Sequence, residues 1–195
     1  PFDTTLTGDA SLSQRPMGRV ADPLRQMGAL LELTEGHAPI RIRGSNRLRS
    51  IEYRLPVPSA QVKSCVLLAG LFAEGDTTVI ESVPSRDHTE RMLGLDAFEM
   101  DGVRHLTVRG GLRIPARTWT VPRDFSAAAF FLVAGSIVPG GALRLPGVGL
   151  NPTRSALLDV LRAMGADITV QNERTYGGEP IADLTVRPAG LHGIS

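Results

Sequence analysis

The chain has 195 residues, 42% of them apolar and 5% aromatic, and its 21 basic and 20 acidic residues leave a formal net charge of +1. That length makes room for one large domain or two small ones with a real core. The balanced charge excludes a broad basic field for nucleic acid or an anionic membrane, the few aromatics argue against a stacking platform for single strands, and no run approaches the roughly 20 apolar residues of a membrane span.

The only cysteine, Cys65, cannot form an intrachain disulfide, which fits a reducing compartment. It lies beside the apolar run Val66-Leu67-Leu68-Ala69, where a buried, inert thiol is expected. The chain opens at Pro1, without Met and inside what reads as a strand, so Pro1 is not expected to be a native N-terminus.

In chain order, a first helix is expected from Pro16, with Arg15 just ahead of it, ending at Leu24-Arg25-Gln26-Met27-Gly28-Ala29. Strands follow at Leu30–Leu33 and Ile40–Arg43. Pro58-Ser59 then opens the most apolar helix, which closes on Ala69-Gly70. After the turn Glu74-Gly75-Asp76 come a strand at Thr77–Glu81 and a second helix starting at Ser85-Arg86-Asp87-His88. A return strand spans Arg104–Arg109. Arg117-Thr118-Trp119-Thr120-Val121-Pro122 reads as a domain crossover. Beyond it, Asp124–Gly135 repeats the small-residue helix ending in Ala-Gly, and Pro139-Gly140-Gly141 repeats the turn. A strand at Ala142–Leu145, a helix from Asn151-Pro152-Thr153-Arg154 to Leu161–Ala166, and strands at Asp167–Val170 and Ala182–Arg187 complete the series.

This is internal repetition: a βαβαββ unit present as a tail (residues 1–44), a whole copy (about 48–110) and most of a third (about 117–190). The second copy departs from the others, running Gly94-Leu95-Asp96-Ala97 where they have Met-Gly-Ala, as a deletion or missing residues would leave it. Apolar residues on a wide face of each helix call for cover by sheet and by other helices. The expected fold is α/β, with repeated βαβαββ units forming two similar domains, sheets outside and helices within, and part of each domain present. Residues 1–120 would belong to the first domain and residues 121–195 would start the second.

Three arginines, Arg15, Arg86 and Arg154, stand at expected helix starts. A cation there opposes the helix dipole, whereas an anionic ligand reverses the sign, because free N–H groups and a guanidinium converge on it. The competing account for each is a surface Arg paired with a nearby carboxylate, as Arg86 with Asp87, and for Arg154 that account is preferred. Ser59 fits a plain helix cap, while Gln61 in the first turn could reach a ligand at the helix mouth. His88 reads as a solvated or structural histidine rather than a base. HExxH, Walker, GxGxxG and CxxC patterns are absent.

The segments Gly8-Asp9-Ala10-Ser11-Leu12-Ser13-Gln14-Arg15-Pro16-Met17-Gly18-Arg19, Ser59-Ala60-Gln61-Val62-Lys63-Ser64 and Ser85-Arg86-Asp87-His88-Thr89-Glu90, in that order, resemble the 5-enolpyruvylshikimate-3-phosphate (EPSP) synthase family. Asn151–Arg154 and Met164–Ile168 are similar to its next repeat. The resemblance implies two domains of three βαβαββ units each, closing on their substrates. It implies transfer of the enolpyruvyl group of phosphoenolpyruvate to the 5-hydroxyl of shikimate 3-phosphate, with phosphate released. It further implies no metal or organic cofactor, no nucleic-acid or membrane partner, a monomer, and a cytoplasmic location. Carried over by position, Arg15 would grip phosphoenolpyruvate; Ser59, Ala60 and Gln61 would hold shikimate 3-phosphate, with Gln61 also near phosphoenolpyruvate; and Arg86 would contact the 3-phosphate. The family pattern extends beyond both ends, and its catalytic Asp and Glu fall past Ser195, so no catalytic residue is assigned and the chain alone is not expected to turn over. Arg123 stands where the family tends to have Gly. Two alternatives are an enolpyruvyltransferase acting on UDP-N-acetylglucosamine, disfavoured because Cys65 sits within a helix, and a non-catalytic module binding a phosphorylated metabolite.

Overall fold

The computed structural model describes residues 2–45 and 47–194. Its contacts divide the chain into two compact units, one formed by Pro1–Ser85 and Leu95–Pro115, the other by Arg86–Gly94 and Ala116–Ser195. Among the described residues no helix is long and apolar enough to cross a membrane.

The first unit begins with β1 (Thr4–Leu6), α1 (Ala10–Ser13), α2 (Gly18–Gln26), β2 (Leu30–Thr34) and β3 (His37–Arg43). β3 runs antiparallel between β1 and β2, with Ile42 opposite both Thr4 and Leu31. The helix expected from Pro16 starts later. Asp9 caps the separate turn α1 by accepting the Leu12 N–H at 2.8 Å, and α2 opens at Gly18 after Met17, which lacks a side-chain acceptor. The Met17 N–H is satisfied instead by Gly36 O at 2.8 Å, so a tertiary contact rather than a local cap sets this start.

The second copy follows as β4 (Leu48–Arg49), β5 (Glu52–Arg54), α3 (Ala60–Gly70), β6 (Ala73–Glu74), β7 (Asp76–Glu81), α4 (His88–Leu93), β8 (Ala97–Met100) and β9 (Val103–Arg109). α4 falls in the second unit and the rest in the first. The sheet order is β5-β7-β9-β8, with β5 parallel to β7 and the others antiparallel; β4 pairs with β6 alongside. α3 lies on this sheet through Val62, Val66, Leu67 and Gly70, one buried face at helical spacing. Gly70 lets helix and sheet touch, since a Cβ there would come within 2.7 Å of Thr77 and Val108. Gly94 ends α4 in the left-handed region (φ 67, ψ 37), as Gly28 (φ 90) and Gly165 (φ 91) follow α2 and the later helix, so the copy keeps its glycine stop after a helix of 6 residues.

A Cβ at Gly110 would overlap the carbonyl oxygen of Ala73, while the Gly110 N–H already donates to Gly75 O at 2.9 Å. Backbone pressed against backbone has no side chain to swing aside. Gly110→Ala should therefore destabilise the protein by about 1–3 kcal/mol through overpacking. An unchanged denaturation midpoint would mean that this close approach does not exist in solution.

The second unit adds α5 (Phe125–Ile137), β10 (Leu143–Gly149), α6 (Ala156–Ala163), β11 (Asp167–Tyr176) and β12 (Glu179–Arg187). β12 runs antiparallel between β10 and β11. An isolated parallel bridge, Arg123 to Val148, repeats the parallel pairing of β5 with β7. The orders β1-β3-β2, β7-β9-β8 and β10-β12-β11 are one pattern drawn three times, as expected of the repeated unit. Both neighbours of β12 shift register around Asp183. Arg144 (2.8 Å), the Gly147 N–H (2.9 Å) and Asn172 (3.1 Å) converge on that carboxylate and hold it well below the usual carboxylate range.

The core of this unit includes Phe125, Leu132, Val148, Leu158, Leu184 and Val186. Asp124 caps α5 by accepting the Ser126 N–H at 3.0 Å, and Gly135 brings the helix against Val186. The outer face of α5 is bare among the described residues, with Phe130 79% and Ile137 60% exposed. α6 starts after the expected Asn151. The Asn151 Oδ1 accepts the Thr153 N–H (2.9 Å) and hydroxyl (2.6 Å), a side-chain turn that delays the helix to Ala156.

Candidate functional site

Ser59, Ala60 and Gln61 sit together where α3 begins. Ser59 is extended (φ −150) and buried, and its Oγ accepts the Val62 N–H at 3.4 Å and donates to Gln61 Oε1 at 3.4 Å. Ser59 is thus the helix cap, and Gln61 stays exposed over the first turn. Free N–H groups at such an end favour an anion.

Two residues beyond Gln61 along α3, Lys63 is fully buried against an equally buried Glu81 at the end of β7, its Nζ 3.0 Å from Oε1 and 3.1 Å from Oε2. Two charges taken out of water cost several kcal/mol per ion unless their remaining hydrogen-bonding positions are filled. Here they are. Glu81 Oε1 accepts the Ser85 hydroxyl at 2.5 Å and its N–H at 3.2 Å, Oε2 lies 3.5 Å from Arg104 Nη1, and Lys63 Nζ donates to Ser85 O at 3.5 Å.

Arg15 is exposed on the turn between α1 and α2 in the first unit, rather than at a helix start. Arg86 is half-buried and belongs by its contacts to the second unit. The expected rival for Arg86 was Asp87, but Asp87 is engaged elsewhere. Its Oδ2 takes Arg91 at 2.9 Å and its Oδ1 takes Asn151 Nδ2 at 2.7 Å. Burial pushes the Asp87 carboxyl up, yet these two donors outweigh it and leave the group below its ordinary value. Among the described residues neither the Arg15 nor the Arg86 guanidinium has a hydrogen-bond or ion-pair partner. Arg154, by contrast, is paired with Asp124 at 3.3 Å and with Ser126 Oγ, as its surface reading anticipated.

Other polar groups of the second unit cluster beside a cavity of about 460 Å³ lined by Trp119, Val121, Phe125 and Tyr176. His88 Nδ1 lies 2.7 Å from Glu179 Oε1, and Asn151 Nδ2 donates to Glu179 Oε2 at 3.0 Å. The Arg117 guanidinium stacks 4.0 Å from the centre of the Trp119 ring. Cys65 is half-buried and burial pushes its thiol up, away from the reactive thiolate.

Two polar arrangements were missed in the sequence. The Lys63–Glu81–Ser85 arrangement had a readable signal, because Lys63 shares the helix face of Val62, Val66, Leu67 and Gly70. The Asp87–Asn151–Glu179 cluster had none, since its members lie far apart in the chain.

The profile of the EPSP synthase (3-phosphoshikimate 1-carboxyvinyltransferase) family matches residues 1–194. A 3-phosphoshikimate 1-carboxyvinyltransferase from Salinibacter ruber is 65% identical over 99% of this chain and 45% of its own length. One from Alkalilimnicola ehrlichii is 56% identical, over 100% of this chain and 44% of its own. The solved EPSP synthase from Acinetobacter baumannii superposes with a TM-score of 0.84 at 49% identity, covering 99% of this chain and 45% of that one. The enolpyruvyl transferase NikO from Streptomyces tendae, 21% identical with a TM-score of 0.63, shares the fold. The chain thus spans less than half the length of the curated relatives it matches. With the profile matched along its length and the repeated βαβαββ architecture in place, the chain belongs to the EPSP synthase family.

Proposed function

We propose that the protein carrying this chain transfers the enolpyruvyl group of phosphoenolpyruvate to the 5-hydroxyl of shikimate 3-phosphate, releasing phosphate, as a cytoplasmic monomer without metal or cofactor. Arg15 grips phosphoenolpyruvate. Ser59, Ala60 and Gln61 hold shikimate 3-phosphate, with Gln61 also close to phosphoenolpyruvate, and Arg86 meets the 3-phosphate. Residues 1–120 are part of the substrate-binding domain and residues 121–195 begin the other domain. The acid and base of the proton transfers come from the part of the relatives' length that this chain does not span.

The observation that carries this reading is the Arg86 guanidinium, which has no partner among the described residues because Asp87 is held by Arg91 and Asn151. A guanidinium in that state suits a phosphate, which it can meet with two parallel N–H donors. The capped start of α3 supplies a second anion-favouring end.

The test is phosphate release by the full-length protein from phosphoenolpyruvate, with shikimate 3-phosphate as acceptor and UDP-N-acetylglucosamine as control. Release only with shikimate 3-phosphate is expected. Arg15→Ala and Arg86→Ala should each lower kcat/KM by about 10²-fold, the loss of a charge-assisted contact of about 3 kcal/mol. Release only with the sugar nucleotide would sink the acceptor assignment.

A further inference from the structure

We propose that Lys63 and Glu81 are positioning residues for acceptor binding, fixing the turn at Ser85 and so the point at which the chain enters Arg86. This inference rests on the proposed roles of Arg86 and of Ser59–Gln61. The pair touches no substrate and acts through what it holds. Lys63 lies in the opening turn of α3, its N–H bonded to Ser59 O at 3.0 Å. Its ammonium reaches both Glu81 oxygens and the Ser85 carbonyl. Glu81 in turn accepts both the N–H and the hydroxyl of Ser85, four residues on. One buried ion pair therefore grips the main chain of Ser85 from its N–H and its C=O sides and ties it to the turn of α3 that carries Ser59, Ala60 and Gln61.

The choice of charges points the same way. Two well-packed apolar side chains commonly replace a buried ion pair with no loss of stability. Methyl groups, however, supply no directional bonds to Ser85, whose hydroxyl, N–H and carbonyl are all held here by the pair. Packing alone does not ask for Lys63 and Glu81; a fixed Ser85 turn does.

The experiment uses the full-length protein with Glu81→Gln, the double variant Lys63→Met/Glu81→Leu, and Arg86→Ala alongside. The double variant removes both charges of the pair together, so it remains readable if Glu81→Gln does not fold. In both pair variants KM for shikimate 3-phosphate should rise about tenfold, while kcat and KM for phosphoenolpyruvate move less than about threefold. The double variant should keep a thermal midpoint close to that of the parent. A double variant with the parent's KM for shikimate 3-phosphate would overturn the proposal, as would equal increases for both substrates. Should Arg86→Ala raise KM for shikimate 3-phosphate while the pair variants do not, positioning fails and the site reading stands. If Arg86→Ala leaves that KM unchanged, the site reading fails and takes the positioning role with it.

Discussion

Lys63→Met should destabilise the protein by about 3–5 kcal/mol, because removing one member of a buried pair leaves the other charge without compensation. Both side chains are 0% exposed, so water cannot take over the role of the ammonium around Glu81. Arg104 and Ser85 still donate to the carboxylate, which places the loss toward the lower end of that range. Adding Glu81→Leu should return most of it, since the second change removes the stranded charge. Urea denaturation of the full-length protein, followed for parent, single and double variants, measures the sequence. A single-variant loss under about 1 kcal/mol, the worth of an exposed ion pair, would place Lys63 and Glu81 in water and remove the premise of the positioning role.

Leu184→Ala is the corresponding test of the second unit. Leu184 is fully buried on β12, the central strand, with Leu145 opposite on β10 and Val170 opposite on β11. It belongs to the same cluster as Phe125 and Leu132 from α5, so side chains on three sides would surround the void. A central strand hydrogen-bonded on both edges has little freedom to collapse inward, and the cost should be about 2–5 kcal/mol from lost transfer energy and the cavity. Val160→Ala on the exposed side of α6 is the matched control and should change stability little. Equal, small losses for the two would mean that the sheet and α5 are not packed as described.

Much of this architecture was legible because it is repeated. Glycines at 28, 94 and 165 stop helices with positive φ, a requirement that one residue type meets cheaply; the ends at Gly28 and Gly165 could be read from Met-Gly-Ala, whereas the stop at Gly94, which lacks that pattern, could not. Helix starts were harder. Ser59 and Asp124 cap locally and were placed well, whereas α2 takes its boundary from Gly36, distant in sequence, and α6 waits on a turn made by Asn151. Pro16 and Pro152 read as first helical residues but lie ahead of the helices, Pro16 in the link before α2 and Pro152 in a turn, since proline's fixed φ suits such positions too.

The site residues were visible as motifs, and what the motifs did not disclose was pairing. Arg86 next to Asp87 looks like a surface ion pair until the fold turns Asp87 toward Arg91 and Asn151. Lys63 has no carboxylate near it in the sequence, and β7 delivers Glu81. In each case the deciding partner is fixed by tertiary placement, about which local spacing carries little information.

The chain passes from the first unit into the second at Arg86, returns at Leu95 and leaves again at Ala116, so α4 is an excursion rather than a continuation. Asp87, His88 and Arg91 on that excursion bind Asn151, Glu179 and the Gly178 carbonyl of the second unit. No single cut in the polypeptide therefore separates the two units. A gene split at the crossover would hand one product a helix with nowhere to dock and leave the other with polar side chains stripped of their partners, so any attempt to make the halves as independent modules has to move α4 along with the later segment, by circular rearrangement or by grafting.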